Sequence, residues 1–480
     1  MSGMLALLVL VALLLAADAA FSVYLALYTW SDPGRFAGSQ APARRSPPRR
    51  SFTLLVPARD EAGVIAETLR GMAALRYPRA LFEIIVICEA GDELTIAAVR
   101  GAIRDLGADL VRLVTFSGPP ITKPRGLNAG LRAARGEVVG VFDAEDSPDP
   151  DVLDVVNSVM EQEGVRVAQL GVQLMNIGSR WYSALNALEY FFWFRSRLHF
   201  FAHRGVVPLG GNTVFFTREV LRACGGWQDR YLTEDAEIGL DLSARGERVR
   251  VVYDGARVTR EESPPTVAAL VRQRTRWSQG FLQIVAAGHW RRLDAGRAAL
   301  ALYTMLSPLS QATTLLLTPV ALACALLVRV PTAVALVTLL PTTIAAFGLA
   351  VQMIGLVELA EVHGLRRPWK QVLALPFVWL PYNWVLGYAA ARAVVRQVLG
   401  ATNWEKTPHT GAHRVAPEWA PSADEVREHV GRWTLGLPAV ALAPGRAGAT
   451  TGTAHAAAGE TAEGGGGGTS SGVAAGARDA

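Results

Sequence analysis

Val138-Val139-Gly140-Val141-Phe142-Asp143-Ala144-Glu145-Asp146, closed by Ser147-Pro148-Asp149-Pro150, is the stretch on which the fold turns. A short unbroken apolar run bounded by a turn reads as a strand buried on both faces. It delivers Asp143 and Glu145 to its C-terminal end, where the proline-flanked turn stops it. Upstream, Phe52 to Val56, Phe82 to Cys88 and Val111 to Thr115 are further short apolar runs, with a helical stretch from Glu61 to Leu75 between the first two. Strands alternating with helices predict an α/β domain, a mostly parallel sheet with helices on both faces. Ligands of such sheets bind beyond the C-terminal strand ends. The groups just after Val56, Cys88 and Phe142 are therefore expected to share one crevice.

Outside this domain the composition changes. Of the 480 residues, 51% are hydrophobic and 19% charged, below the usual quarter. The apolar excess collects at Met4 to Trp30 and from Ala298 to Val398. The first run has no positively charged start and continues through Tyr28, so it reads as an anchor rather than a cleaved signal. Asp18 inside it is costly in lipid unless it faces another helix. The second region holds three apolar stretches, Ala299 to Val328, Thr332 to Val357 and Val372 to Val395, with Pro308, Pro341, Pro376 and Pro381 predicting kinks or interfacial segments. The expected order is a transmembrane anchor (1–30), a basic linker (31–50), a cytoplasmic α/β domain (51–297), a membrane domain (298–398), a cytoplasmic segment (399–438) and a disordered Gly/Ala-rich tail (439–480).

Charge supports a multi-pass protein of the plasma membrane. The net charge is +5, and Arg44, Arg45, Arg49, Arg50, Arg291, Arg292, Arg366, Arg367 and Lys370 lie beside apolar segments, a positive-inside pattern rather than a nucleic-acid stripe. Cys88, Cys224 and Cys324 show neither metal-ligand spacing nor an even framework, consistent with a reducing compartment. Topology has a parity problem. With the α/β domain inside, three further crossings leave the C-terminus outside, yet Arg392, Arg396 and Lys406 argue for inside. One stretch is expected to lie in the interface or re-enter.

Three patterns carry chemistry. Asp143 and Glu145, at i and i+2 around a tight turn, can share a divalent cation that neutralises a diphosphate. A lone Asp-x-Glu is more often an acidic turn. Thr233-Glu234-Asp235 follows Gly210-Gly211-Asn212 and Gly225-Gly226-Trp227, and by itself reads as a helix cap. Gln273-Arg274-Thr275-Arg276-Trp277 sets an amide, a guanidinium and an indole on one helical face, suited to gripping pyrophosphate and stacking a sugar, although surface helices show such patterns too.

Order and spacing together say more. Val56-Pro57-Ala58-Arg59-Asp60-Glu61, Lys123-Pro124-Arg125-Gly126-Leu127-Asn128-Ala129-Gly130, Asp143-Ala144-Glu145-Asp146, Leu209-Gly210-Gly211-Asn212, Gly225-Gly226-Trp227, Thr233-Glu234-Asp235 and Gln273 to Trp277 follow one another, and Asn403-Trp404-Glu405-Lys406-Thr407-Pro408-His409 comes after the membrane stretches. With these motifs the chain resembles the processive branch of glycosyltransferase family 2, the group of cellulose, hyaluronan and related polysaccharide synthases. The resemblance implies a GT-A-type nucleotide-sugar domain joined to transmembrane helices.

It also implies roles. Pro57, Asp60, Glu61, Lys123, Asn128 and Asp143 would bind the donor; Glu145, with Asp143, would hold Mg²⁺ or Mn²⁺. Asp235 matches the catalytic base, with Glu234 beside it. Gly211, Trp227, Gln273, Arg276 and Trp277 would meet diphosphate and acceptor. The chain departs from the family after its second strand, where Glu89 or Asp92 stands in for the usual Asp, at Glu145, where Asp is commoner, and at Arg59-Asp60, which replace a frequent Tyr-Asn pair. The implied reaction is inverting transfer from a nucleotide sugar, UDP by preference, to a growing polysaccharide, forming a β-glycosidic bond. A single transfer to a lipid or short-glycan acceptor is the alternative. An inactive scaffold subunit of an exopolysaccharide assembly is the reading from another class. Expected partners are the donor, a glycan or lipid acceptor, membrane lipids and possible exopolysaccharide-assembly subunits, with no nucleic acid.

Overall fold

The computed structural model describes residues 2–327, 331–401, 405–407 and 409–414. Asn403, Trp404, Pro408 and everything from 415 onward, including the Gly/Ala-rich run 439–480, lie outside the described residues. The strands are β1 (Phe52–Ala58), β2 (Phe82–Glu89), β3 (Val111–Phe116), β4 (Val138–Val141), β5 (Val167–Leu170), β6 (Val172–Leu174), β7 (Val214–Thr217), β8 (Val249–Val252) and β9 (Thr259–Glu261). Seven of them form one sheet in the order β3-β2-β1-β4-β7-β5-β8, while β6 and β9 pair separately. The pairs β1–β2, β1–β4, β2–β3 and β5–β8 are parallel; β7 alone runs antiparallel, to both β4 and β5.

Strand periodicity explains the layers. Leu55, Ile85, Val139 and Val141 join one core cluster, whereas their neighbours Leu54, Ile84, Val86 and Val138 join the other. Helix Lys123–Ala133 covers the first face with Leu127 and Leu131; helices Ile65–Ala73 and Glu93–Leu106 cover the second with Ile65, Leu69 and Val99. Gly130 permits the close approach, since a Cβ there would lie 2.5 Å from Ile87 Cδ1. This is the mostly parallel sheet with helices on both faces that the apolar runs predict. The antiparallel β7 has no counterpart among them.

Among the described residues, four helices are long and apolar enough to cross a membrane, at Leu5–Leu27, Ala295–Leu317, Thr332–Val362 and Trp369–Val398. Helix Ser2–Leu27 turns its half-buried acid toward another helix, with Asp18 accepting from Ser310 Oγ at 3.1 Å. The basic linker is not structureless; Asp32 caps a short helix, Pro33–Ser39. Pro308, Pro319, Pro341, Pro376 and Pro381 all sit inside continuous helices.

The last helix, Trp369–Val398, touches the α/β domain near its start, middle and end. Gln371 reaches Gly178, and Val372 and Leu375 are buried in one core cluster with Tyr182 and Leu185. Thr275 donates to Ala389 O at 3.2 Å, and Arg396 Nε to Gln279 at 3.0 Å. A helix this long measures about 45 Å, so one that crossed the roughly 30 Å hydrocarbon layer would carry one end away from the domain. Its outward side exposes Leu373, Phe377, Leu380, Trp384, Tyr388, Val395 and Val398 as a stripe at helical spacing. Lying along the domain, it returns the chain to the sheet. Residues 405–407 and 409–414 then form a strap over the C-terminal ends of β1 and β4, from Lys406 at Asp60 to Arg414 at Glu145.

Candidate active site

The crevice at the strand ends is built around Lys123, the first residue of its helix. Its ammonium lies 2.5 Å from Asp143 Oδ1 and donates to Gly211 O at 3.0 Å. Burial works against this charge, but Asp143, Glu234 and Asp235 outweigh it and raise its pKa. A Cβ on Gly211 would lie 3.0 Å from Asp235 Oδ2 and 3.4 Å from Lys123 Nζ, so glycine keeps the space between the Asp235 carboxylate and the ammonium open. Asp143, Lys123, Gly211 and Asp235, far apart in sequence, thus share one cleft.

Helix Glu234–Ala244 begins with the Glu234-Asp235 pair. Burial raises both carboxyls; beside the charge of Asp235, Glu234 is pushed up to about 7, while Lys123 pulls both down. Helix Val267–Ala287 packs on this motif at Gly280 and presents Arg276 and Trp277. Burial lowers the Arg276 pKa, against Glu234, Asp143 and Asp235, all within electrostatic reach. Arg274 is turned away to Glu189 and over the Trp277 ring, 4.5 Å from its centroid. Gln273 Oε1 is buried without a hydrogen-bond partner among the described residues.

At the β1 and β2 ends, Asp92 caps helix Glu93–Leu106 through Thr95 N and accepts from Asp60 N at 2.6 Å. Asp60 adopts a left-handed backbone (φ 54°), which turns the chain so that Glu61 enters the site. Glu89 is half-buried at the end of β2, and Pro57 is held within β1. Glu61 and Glu145 are 6% and 7% exposed, and His409 of the strap bridges them, Nδ1 lying 3.2 and 3.0 Å from their oxygens. Burial works against a charged His409, yet Glu145 and Glu61 push it up to about 11. Carboxylate oxygens and an imidazole nitrogen within 4.8 Å of one another fit a divalent ion. Asp143, expected to share that ion, is turned to Lys123 instead.

Two expected pocket residues are placed elsewhere. Asn128 commits its amide to the Trp227 backbone, donating to its carbonyl at 2.6 Å and accepting from its N–H at 3.0 Å. Trp227 is 4% exposed, edge-on against Phe216, and offers no face for an acceptor to stack on. The Gly-Gly-Trp pattern is thus a loop pinned by Asn128. Sequence reasoning missed Asp146 and Glu261, which share Asn212, and the strap residues Lys406, His409 and Arg414. The Glu-Lys-Thr-Pro-His run was the available signal for the strap; nothing local marks Glu261.

Residues 47–280 match the family described as glycosyltransferase like family 2. A probable glycosyltransferase of Bacillus subtilis, YdaM, is 28% identical over 249 residues, 48% of this chain and 56% of the relative. A beta-monoglucosyldiacylglycerol synthase of Trichormus variabilis is 24% identical over 377 residues, 75% of this chain and 76% of the relative. The chain spans about half the length of most of the curated relatives it matches. Among solved structures, a mannosyltransferase from Pyrobaculum calidifontis, in complex with GDP-Man and Mn²⁺, aligns with a TM-score of 0.54 at 21% identity, over 82% of this chain and 99% of that one. The fold is of the GT-A type. The family match spans the strand-end carboxylates and Asp235, so residues 47–280 carry a domain of the family described as glycosyltransferase like family 2.

Proposed function

We propose that the protein transfers a sugar from a nucleoside diphosphate donor to an acceptor hydroxyl at a membrane face, with inversion at the anomeric carbon. The observation that carries this reading is the single cleft in which Lys123 links Asp143 to the Gly211–Asp235 side. Asp235 acts as general base on the acceptor hydroxyl, a contribution of about 10²- to 10⁴-fold. Lys123 and Arg276 meet the negative charge that develops on the leaving diphosphate. A divalent cation bound at Glu145 would supply further neutralisation there, and the similar mannosyltransferase is described in complex with GDP-Man and Mn²⁺. One in-line displacement turns an α-linked donor into a β-linked product.

The chain's N-terminal helix and the two helices from Ala295 and Thr332 cross the plasma membrane, and the cleft faces the cytoplasm. The terminal helix lies at the surface, which supports an inside C-terminus. Three crossings leave little wall for a polymer channel, so the geometry favours one transfer to a lipid or short-glycan acceptor held at the bilayer face. The relative named beta-monoglucosyldiacylglycerol synthase is consistent with that acceptor class. A growing polysaccharide is the second reading, supported by the relatives named poly-beta-1,6-N-acetyl-D-glucosamine synthase. Purified protein in lipid nanodiscs, given labelled UDP- and GDP-sugars with Mg²⁺ or Mn²⁺, should yield a lipid-extractable product carrying one sugar. A ladder of polymer would reverse the order of the two readings, and no transfer or hydrolysis with any donor would refute both.

A further inference from the structure

We propose that the cation of this site takes a ligand from the C-terminal strap, Nδ1 of His409, beside carboxylate oxygens of Glu61 and Glu145. The proposal rests on the nucleotide-sugar reading and names the ligand set within it. In an octahedral ion with bonds of about 2.1 Å, ligands at adjacent corners lie about 3.0 Å apart. His409 Nδ1 is 3.0 Å from Glu145 Oε1 and 3.2 Å from Glu61 Oε1, spacings that neighbouring ligands of such an ion would also have. Two buried carboxylates side by side call for positive charge, which a protonated His409 supplies between them; a bound cation would take over that role as the imidazole gives up its proton. The other nearby acids are engaged elsewhere, Asp143 with Lys123, and Asp146 and Glu261 with Asn212.

The strap is tied down on both sides of His409. Before it, Glu405 is clamped by Arg392 at 2.8 and 2.7 Å, and Lys406 donates to Asp60 O. After it, the Glu262 carboxylate accepts from Thr410 Oγ1 at 2.8 Å, Gly411 N at 3.1 Å and Ala412 N at 2.7 Å. Arg414 then donates to Glu145 O at 2.8 Å and Val64 O at 3.0 Å. The histidine is thus delivered from outside the sheet, and the ligand set is complete only with the strap seated. Lys406, 3.0 Å from Glu61, adds a second positive charge for a bound diphosphate to face. An imidazole nitrogen also suits Mn²⁺ better than the oxygen-seeking Mg²⁺.

The test uses the full-length protein in detergent, titrated with MnCl₂ with and without UDP and read by electron paramagnetic resonance. The wild type should show nitrogen modulation of the Mn²⁺ echo. His409→Ala should lose that modulation and weaken Mn²⁺ at least about tenfold, the loss that follows even when a ligand's supporting partner is removed. Glu262→Ala, which keeps the histidine but unties the strap, should weaken Mn²⁺ too, and His409→Gln with unchanged thermal unfolding controls for misfolding. Unchanged affinity and modulation in His409→Ala would overturn the histidine ligand while leaving the transfer reading intact. Absence of Mn²⁺ binding by the wild type, with and without UDP, would overturn the ligand set together with the cation in that reading.

Discussion

Gly280→Ala reports on how the acidic motif and the Arg276 helix are held together. A Cβ at Gly280 would lie 2.4 Å from Thr233 Oγ1, 2.7 Å from Cγ2 and 2.8 Å from the backbone nitrogen of Thr233. The hydroxyl can rotate, but the backbone nitrogen belongs to the residue just before Glu234. To regain ordinary contact near 3.5 Å, helix Val267–Ala287 and the Thr233 segment must separate by about 0.7 Å. Overpacking of this kind costs about 1–3 kcal/mol of stability. Because Arg276 and Trp277 ride on one side of the gap and Asp235 on the other, a shift approaching 1 Å should also lower kcat/KM by up to about 10²-fold. Gly101→Ala is the control; its nearest neighbour is the tip of Arg104 at 3.8 Å, and replacing an unstrained helical glycine there should raise stability by about 0.4–1 kcal/mol. Thermal unfolding and steady-state kinetics on the two variants measure both effects. Transfer within twofold of wild type in Gly280→Ala would refute the proposed junction between helix and base.

Further outcomes follow from the same cleft. Lys123→Met should cut kcat/KM by about 10²- to 10³-fold, as loss of a charge-stabilising donor does, and donor titration should locate the loss in donor binding and the transition state. Asn128→Ala should lower the thermal midpoint through the freed Trp227 backbone, a loss of about 1–3 kcal/mol, with kcat falling only as the fold loosens. Burial, with Glu145 and Asp143 nearby, pushes Glu261 up to about 8, well above its unfolded value. Its stabilising contribution is therefore fully present below the ordinary glutamate range and is lost as pH rises through about 8. In metal-free buffer the thermal midpoint should fall between pH 5.5 and 8.5, and Glu261→Gln should flatten that slope.

Much of the fold was legible because buried parallel strands are short unbroken apolar runs. The runs from Phe52, Phe82, Val111 and Val138 coincide with β1 to β4, and the carboxylates at the last of them stand where a parallel sheet presents its ligands. The antiparallel β7 escaped because a four-residue run such as Val214–Thr217 carries no mark of direction; its pairing with β4 and β5 is decided by tertiary contacts. The terminal helix shows a different limit. Hydropathy is the same for a helix that crosses a bilayer and one that lies along a domain, and only the contacts of Gln371, Ala389 and Arg396 separate the two. Trp227 was misread for its aromatic ring, when the polar neighbour that fixes its backbone is Asn128. His409 and Glu145, distant in sequence, meet only because the terminal helix returns the chain to the strand ends.

The most direct measurement is donor binding and transfer compared in wild type and Asp235→Asn, using purified full-length protein and the nucleotide sugar it turns over. If Asp235 removes the acceptor proton, transfer falls about 10²- to 10⁴-fold while the donor Kd is unchanged. Transfer at the wild-type rate, or loss of donor binding in step with activity, would contradict that role.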